Sequence, residues 1–172
     1  MTDRTEPTLL IRTATGNDRE WLAGLWQSEW GGESMVTRGR VHRLDSLHGL
    51  IASDGDVRVG AATYRVEDQA CEVLSLNAMV EGKGIGTALL QAVGAAARAA
   101  GCRRVWLITS NDNLAALRFY QRRGYRLAAV YAGAIDEARQ LKPSIPLVGL
   151  HDIPLHDEIE LELNLTGGPA NE

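Results

Sequence analysis

Three glycines, Gly82, Gly84 and Gly86, alternate with other residues between an expected strand and an Ala-rich expected helix. Glycine lets a ligand approach the backbone closely, and successive N–H groups at the start of a helix attract an anion. The alternative is a tight strand-to-helix turn that binds nothing. The position of the three glycines, together with a second motif further along the chain, favours a phosphate-binding turn.

Two common phosphate-binding motifs do not fit this turn. No GxxxxGK[ST] string is present, and a GxGxxG fingerprint would need glycine where Thr87 or Leu89 stands. The next expected strand, residues 105–108, does not end in the acidic residue that ribose recognition asks for. A nicotinamide-dependent oxidoreductase is therefore a poor fit and is kept only as a third hypothesis.

The segment from residue 71 to residue 130 resembles the GNAT superfamily of acyl-CoA-dependent N-acetyltransferases. The family signature Q/R-x-x-G-x-G/A matches residues 81–86, and a second signature, N-x-x-A-x-x-hydrophobic-Y followed by Gly-Tyr, matches residues 113–125. One position departs from the pattern, because Glu81 stands where Gln or Arg is usual. A carboxylate is repelled by a pyrophosphate, so Glu81 bears on cofactor affinity unless it points away or Lys83 compensates.

The resemblance implies acetyl-CoA as co-substrate and a specific set of contacts. It implies that Tyr120 protonates the departing thiolate and that a backbone N–H near Leu76 or Asn77 binds the thioester carbonyl. Taken alone, Tyr120 reads as a core residue of an amphipathic helix, and Asn113 as a helix cap. The expected cofactor-binding residues are Leu76, Asn77, Gly82, Lys83, Gly84, Ile85, Gly86, Thr87, Asn113, Ala116 and Tyr120.

Acetyl transfer to an amine also needs a proton acceptor, because an alkylamine with a pKa of about 10.4 is almost fully protonated at neutral pH. Glu72 is the candidate, since it shares the strand alternation of Leu74 and Leu76, where a charge is unexpected. Partial burial would raise its pKa and let it relay a proton through water. The alternative is an exposed residue at the start of the strand.

The acceptor site is expected to use the first helix and the loop after it, and the proline-rich loop before the last strand, residues 142–154. Trp26, Glu29, Trp30 and Glu33 would suit a cation there. The alternative is that tryptophans at this helical spacing belong to the core.

Hydrophobic periodicity predicts strands first in a meander and then alternating with helices, with residues 31–47 as a loop or short helix. Residues 158–165 alternate strictly, with Glu158, Glu160 and Glu162 expected on the solvent side. The predicted fold class is α/β (α+β): a mixed, mostly antiparallel central sheet flanked by helices on both faces, as in the GNAT fold. One domain is expected over residues 8–166, with flexible tails at 1–7 and 167–172.

The net charge of −4 and the lack of a concentrated basic face argue against a nucleic-acid binder. Two distant cysteines and four scattered histidines predict no metal site. No segment is long and apolar enough for a signal peptide or a membrane span, so we expect a cytoplasmic protein. We expect it to be a monomer or a homodimer.

The leading hypothesis is direct acetyl transfer to a primary amine of a small molecule or peptide. The second is a non-catalytic acyl-CoA-binding or sensing module of the same fold.

Overall fold

The computed structural model describes residues 9–167, so Thr8 and the expected tails, apart from Gly167, lie outside the described residues. The helices are α1 (Arg19–Trp30), α2 (Ile85–Ala99), α3 (Leu114–Gln121) and α4 (Ala134–Leu141), with 3₁₀ turns at Gly16–Asp18, Leu44–Ser46 and Leu150–Asp152. The strands are β1 (Leu9–Thr13), β2 (Ser34–Thr37), β3 (Arg40–Arg43), β4 (His48–Asp54), β5 (Val57–Glu67), β6 (Ala70–Ala78), β7 (Arg104–Ser110), β8 (Arg126–Tyr131) and β9 (Glu158–Asn164).

The central sheet contains seven strands in the order β1-β4-β5-β6-β7-β9-β8. β6 and β7 pair in parallel, and every other neighbouring pair in this sheet is antiparallel. The α2 helix makes the parallel crossover between β6 and β7. The expectation of a mixed, mostly antiparallel sheet is confirmed.

Helices cover both faces of the sheet. Leu89 and Val93 of α2 belong to a core that also receives Leu117 of α3. On the opposite face, Trp26 of α1 packs in a second core with Ile51 of β4. Side chains of successive strand residues point to opposite faces, and this is why the neighbouring residues Ile51 and Ala52 belong to different cores.

The parallel pairing of β6 with β7 ends early. Its last register pair is Val73 with Leu107, although β6 continues to Ala78 and β7 to Ser110. The two strands therefore separate towards their C-terminal ends. The Met79 N–H donates to the Val59 carbonyl at 2.8 Å, and antiparallel alternation then directs the Asn77 N–H towards β5 and the Leu76 N–H towards the split.

The expectation of a loop or short helix at residues 31–47 is wrong. β2 and β3 form a hairpin there, joined by Arg38 and Gly39 at φ values of 50° and 69°. A two-residue hairpin turn of this kind needs positive φ at both central residues and is usually marked by Asn-Gly or Asp-Gly. Arg-Gly is not such a signal, so the sequence did not indicate the hairpin.

The expectation that Glu158 and Glu160 face solvent is also wrong, because they are only 3% and 7% exposed. Arg38, at the tip of the β2–β3 hairpin, covers this end of β9. Its backbone N–H donates to Glu158 at 3.0 Å, and its guanidinium lies 3.2 Å from the centre of the Tyr131 ring. Alternation correctly placed these glutamates opposite the apolar residues of the strand. It gave no sign of the hairpin that buries Glu158.

Candidate functional site

A cavity of about 550 Å³ lies at the split between β6 and β7. Of the residues expected at the site, those that line this cavity are Glu29, Trp30, Leu76, Asn113, Ala116 and Tyr120. The wall also includes residues of β2, β6, β7 and α4, together with Lys142, Ser144, Ile145, Pro146, Leu155 and Glu158. Residues that are distant in sequence thus meet where the two strands separate.

The glycine turn lies at the start of α2. Gly82 and Gly84 both have a φ of 71°, which favours glycine, and a Cβ added to either would meet nothing within 4 Å. The first helical hydrogen bond runs from Ala88 N–H to the Gly84 carbonyl at 2.9 Å. The amides of residues 85–87 therefore lack partners within the helix, and the space beside Gly82 and Gly84 is open, an arrangement that fits a pyrophosphate.

The charged residues in and beside this turn differ in how firmly the structure holds them. Glu81 and Lys83 are exposed. Arg123 is fixed beside the first turn of α2, because its Nε donates to Thr87 Oγ1 at 2.9 Å and its guanidinium lies 3.6 Å from the Phe119 ring centre. The structure thus places a cation close to the turn in addition to the backbone amides.

Tyr120 reaches the cavity from α3, whose first turn is capped by Asn113: Asn113 Oδ1 accepts from the Ala116 N–H at 3.1 Å. The Tyr120 ring packs edge-on against Phe119 and Tyr125, with centroids 5.1 Å and 5.6 Å away. Its hydroxyl makes no hydrogen bond to any described residue, and burial raises its pKa. The phenol therefore keeps its proton at neutral pH.

Glu72 is buried but does not line the cavity. Its carboxylate accepts from Arg65 Nε at 2.6 Å and from Thr37 Oγ1 at 3.1 Å. Thr37 Oγ1 also lies 2.9 Å from His42 Nε2, and burial lowers the pKa of this imidazole. The contacts of Glu72 therefore tie the β2–β3 hairpin to the central sheet.

The residues expected to bind the acceptor divide into two groups. Glu29 and Trp30 line the cavity, whereas Trp26 is fully buried in the α1 core and neither it nor Glu33 reaches the cavity wall. The buried atoms Trp26 Nε1 and Asn77 Oδ1 lack hydrogen-bond partners among residues 9–167. The core alternative therefore describes Trp26, whereas Trp30 both packs against that core and lines the cavity.

Two charged residues of the cavity were missed by the sequence reasoning. Lys142 Nζ donates to the carbonyls of Trp30 at 2.6 Å and Ser34 at 2.8 Å, and burial lowers its pKa. Glu158 is buried at the wall, and its pKa is raised by burial and by the negative charges of Glu72 and Glu137. A lysine in a proline-rich loop and a glutamate in an alternating strand carry no local signal for such positions.

Two features are absent from residues 9–167. No group of three or more His, Cys, Asp or Glu side chains is arranged to hold a metal ion. In the same range, no helix has both the length and the apolar content that crossing a bilayer requires.

Comparison with known proteins assigns this chain to a family. The model of the acetyltransferase (GNAT) family matches residues 18–125, and the chain belongs to this family. The chain is 43% identical over 143 residues to the uncharacterized protein YdhI of Bacillus subtilis, covering 82% of this chain and 89% of YdhI.

Solved structures show the same fold. A GNAT family acetyltransferase from Elizabethkingia anophelis with acetyl-CoA bound superposes with a TM-score of 0.70 at 18% identity, covering 91% of this chain and 98% of that one. A Bacillus subtilis acetyltransferase in complex with CoA gives a TM-score of 0.68 at 20% identity, covering 91% of this chain and 99% of that one. The predicted family, fold and enzyme class, an acetyltransferase, are confirmed.

Proposed function

We propose that this protein transfers an acetyl group from acetyl-CoA to a primary amine by direct attack in a ternary complex, within one domain over residues 8–166. The observation that carries the proposal is the separation of β6 from β7 after Val73. Leu76 and Tyr120 line the cavity at this split, and the glycine turn follows β6 directly in the chain, which supports one extended ligand contacting all three.

Acetyl-CoA fits the arrangement in a defined orientation. The amides of residues 85–87 would hold the pyrophosphate, with Arg123 adding positive charge. The pantetheine arm would follow the split, where the Leu76 N–H is the edge amide available to the thioester carbonyl. Asn113 and Ala116, which line the cavity beside Tyr120, would contact the same arm.

The chemistry requires a proton for the leaving group. When a neutral amine attacks the thioester carbon, the C–S bond breaks and negative charge develops on sulfur. Tyr120 is suited to donate its proton to that sulfur, because burial raises the pKa of the phenol and keeps it protonated until the thiolate forms.

Direct attack is favoured over an acyl-enzyme because neither cysteine suits the role of nucleophile. Burial raises the pKa of Cys71 to about 12 and also raises that of Cys102, and neither lines the cavity. A thiol needs a lowered pKa and access to its substrate to act as a nucleophile. The amine therefore attacks the thioester itself.

A non-catalytic acyl-CoA-binding module is the second candidate, favoured by the exposed Glu81 where the family usually has Gln or Arg. Its side chain is open to solvent, where repulsion of a phosphate is screened. This leaves catalysis as the better-supported alternative.

The test is acetyl-CoA consumption over a panel of small primary amines and amino-terminal peptides. Thiol release would be followed with a chromogenic reagent and each product confirmed by mass spectrometry, with amine-free reactions as the control. Amine-dependent release with an acetylated product supports the enzyme. Acetyl-CoA binding without turnover across the panel would support the binding module. A melting temperature raised by NAD and not by acetyl-CoA would revive the oxidoreductase.

A further inference from the structure

Three glutamates are buried on the face of the sheet that α1 covers, and two of them have charged partners. Glu72 pairs with Arg65, and Glu160 accepts from Arg104 NH1 at 2.8 Å and from the Tyr131 hydroxyl at 2.6 Å. Glu158 forms no salt bridge within residues 9–167, and its hydrogen-bond donor is the Arg38 backbone N–H. A buried carboxylate without a cation is costly, so this one calls for a functional explanation.

The charged groups around Glu158 leave room for a cation. Besides burial, which raises the pKa of Glu158, the positive charge of Arg38 lowers it and the negative charges of Glu72 and Glu137 raise it, but the Arg38 guanidinium is stacked on the Tyr131 ring and forms no salt bridge with Glu158. The charged residues that line the cavity are Glu29, Glu158 and Lys142, and Lys142 Nζ is already bonded to two backbone carbonyls. The lining therefore carries more negative than positive charge.

Apolar side chains form much of the remaining wall, among them Met35, Ile135, Ile145 and Leu155. Trp30 adds an aromatic face. An acceptor with one positive charge and an apolar substituent would satisfy both parts of the wall, since the ammonium would pair with the carboxylate and the substituent would lie against the apolar side chains.

We propose that Glu158 binds the ammonium group of the acceptor and removes its proton, and that the acceptor is a primary amine carrying an apolar group. This inference rests on the proposed acetyl transfer and identifies a base other than Glu72. The position of Glu158 in the wall that also contains Tyr120 places an acid and a base in one cavity.

The proton balance closes over one turnover. The ammonium gives one proton to the Glu158 carboxylate, directly or through a water, and the freed nitrogen lone pair attacks the thioester carbon. As the C–S bond breaks, the thiolate takes the Tyr120 proton, and the second nitrogen proton returns to the Tyr120 oxygen. Glu158 then releases its proton to solvent. Its raised pKa makes it a stronger base than an ordinary carboxylate.

The test compares Glu158→Gln with Glu160→Gln, which changes a paired glutamate two residues away on the same strand. Each variant would be assayed with an apolar alkylamine, protonated at pH 7, and with trifluoroethylamine, which is largely neutral there. For Glu158→Gln we expect kcat/KM to fall at least about 100-fold with the alkylamine and less than about 10-fold with the neutral amine. Glu160→Gln should change both rates equally.

Two further readouts separate a chemical role from a structural one. With the neutral amine, the inflection that Glu158 adds to the acidic limb of the pH profile of kcat/KM should be lost in Glu158→Gln, leaving only the ionisation of the amine itself, while the affinity for acetyl-CoA stays unchanged. Equal losses with both amines, or wild-type rates in Glu158→Gln, would overturn the proposal. If Glu158→Gln does not fold, Glu158→Asp is assayed instead and should retain the same bias towards the neutral amine; equal losses there would count against the role.

Failure of this inference can be told apart from failure of acetyl transfer itself. Wild-type protein that turns over no amine contradicts the proposed function. Glu158 is then tested by calorimetric titration of CoA-bound protein with an alkylammonium. Binding to the wild type that weakens at least about 10-fold in Glu158→Gln supports the cation site, and equal binding, or none to the wild type, refutes it.

Discussion

The glycine turn and the cavity are built in different ways. The proposed cofactor side depends on backbone amides and positive φ angles within one short stretch, residues 82–87, which does not line the cavity, together with one helix, α3. The proposed acceptor side is the cavity wall, assembled from side chains of α1, of β2, of the segment after α4 and of the start of β9. A site made of backbone leaves a contiguous signature in the sequence, whereas a site made of side chains exists only after folding.

The same contrast separates two buried glutamates. Glu72 attracted notice in the sequence because its charge interrupts an apolar alternation, and its carboxylate proves to be occupied by Arg65 and Thr37. Glu158 followed the alternation expected of a surface residue and lies at the cavity wall. The pattern of residue types in the sequence shows where a charged residue is unusual. Only the folded structure shows which charged side chain lacks a partner.

The largest effect is expected on the cofactor side, for Tyr120→Phe. Removing the phenolic proton while keeping the ring should lower kcat by about 10²–10⁴-fold, with acetyl-CoA affinity nearly unchanged. Steady-state kinetics and calorimetry measure the two quantities. Tyr125→Phe is the matched control, because Tyr125 is also buried and packs on Tyr120 but does not line the cavity. Equal rates for Tyr120→Phe and wild type would remove Tyr120 from the mechanism.

The next effect concerns the glycine turn. Gly84→Val should weaken acetyl-CoA binding at least about 30-fold, equivalent to about 2 kcal/mol, because a branched side chain is strained at positive φ and would fill the open side of the turn. Gly101→Val is the control, since Gly101 has a similar φ of 76° and also has open space around it, but it follows the other end of α2. Similar affinities in the two variants would contradict the proposed phosphate site.

The same contrast, between features of contiguous residues and features that form only on folding, separates what the sequence predicted from what it missed. The sequence of strands and helices along the chain outside residues 31–47, the Ala-rich α2, the glycine turn and the Asn113 cap are encoded by periodicity and by residues adjacent in the chain. The β2–β3 hairpin was missed because Arg38 takes a positive φ that favours other residues. Lys142 and Glu158 were missed because burial and missing partners are tertiary properties, which no spacing of residue types records.

A smaller effect is expected on the acceptor side, for Trp30→Ala. Removing this part of the cavity wall should raise the KM for an apolar amine by about 10-fold, equivalent to about 1.4 kcal/mol, and leave the KM for acetyl-CoA unchanged. Trp21→Ala is the control, because Trp21 lies on the same helix and does not line the cavity. If the KM for the amine and the KM for acetyl-CoA rose in parallel, Trp30 would not act on the acceptor side alone.

The smallest effect on turnover is expected for Glu72→Gln, which should change kcat/KM by less than about 5-fold if Glu72 is not the base. Its cost should instead appear in the free energy of unfolding, which we expect to fall by about 2–4 kcal/mol because Arg65 loses a buried charged partner. Glu67→Gln is the control: Glu67 also contacts Arg65 but is half exposed, so its loss should cost much less than the loss of Glu72. Urea unfolding measures both values. A Glu72→Gln protein that kept its stability and lost its turnover would return the role of base to Glu72, and with it the part of the acceptor chemistry that the sequence had predicted.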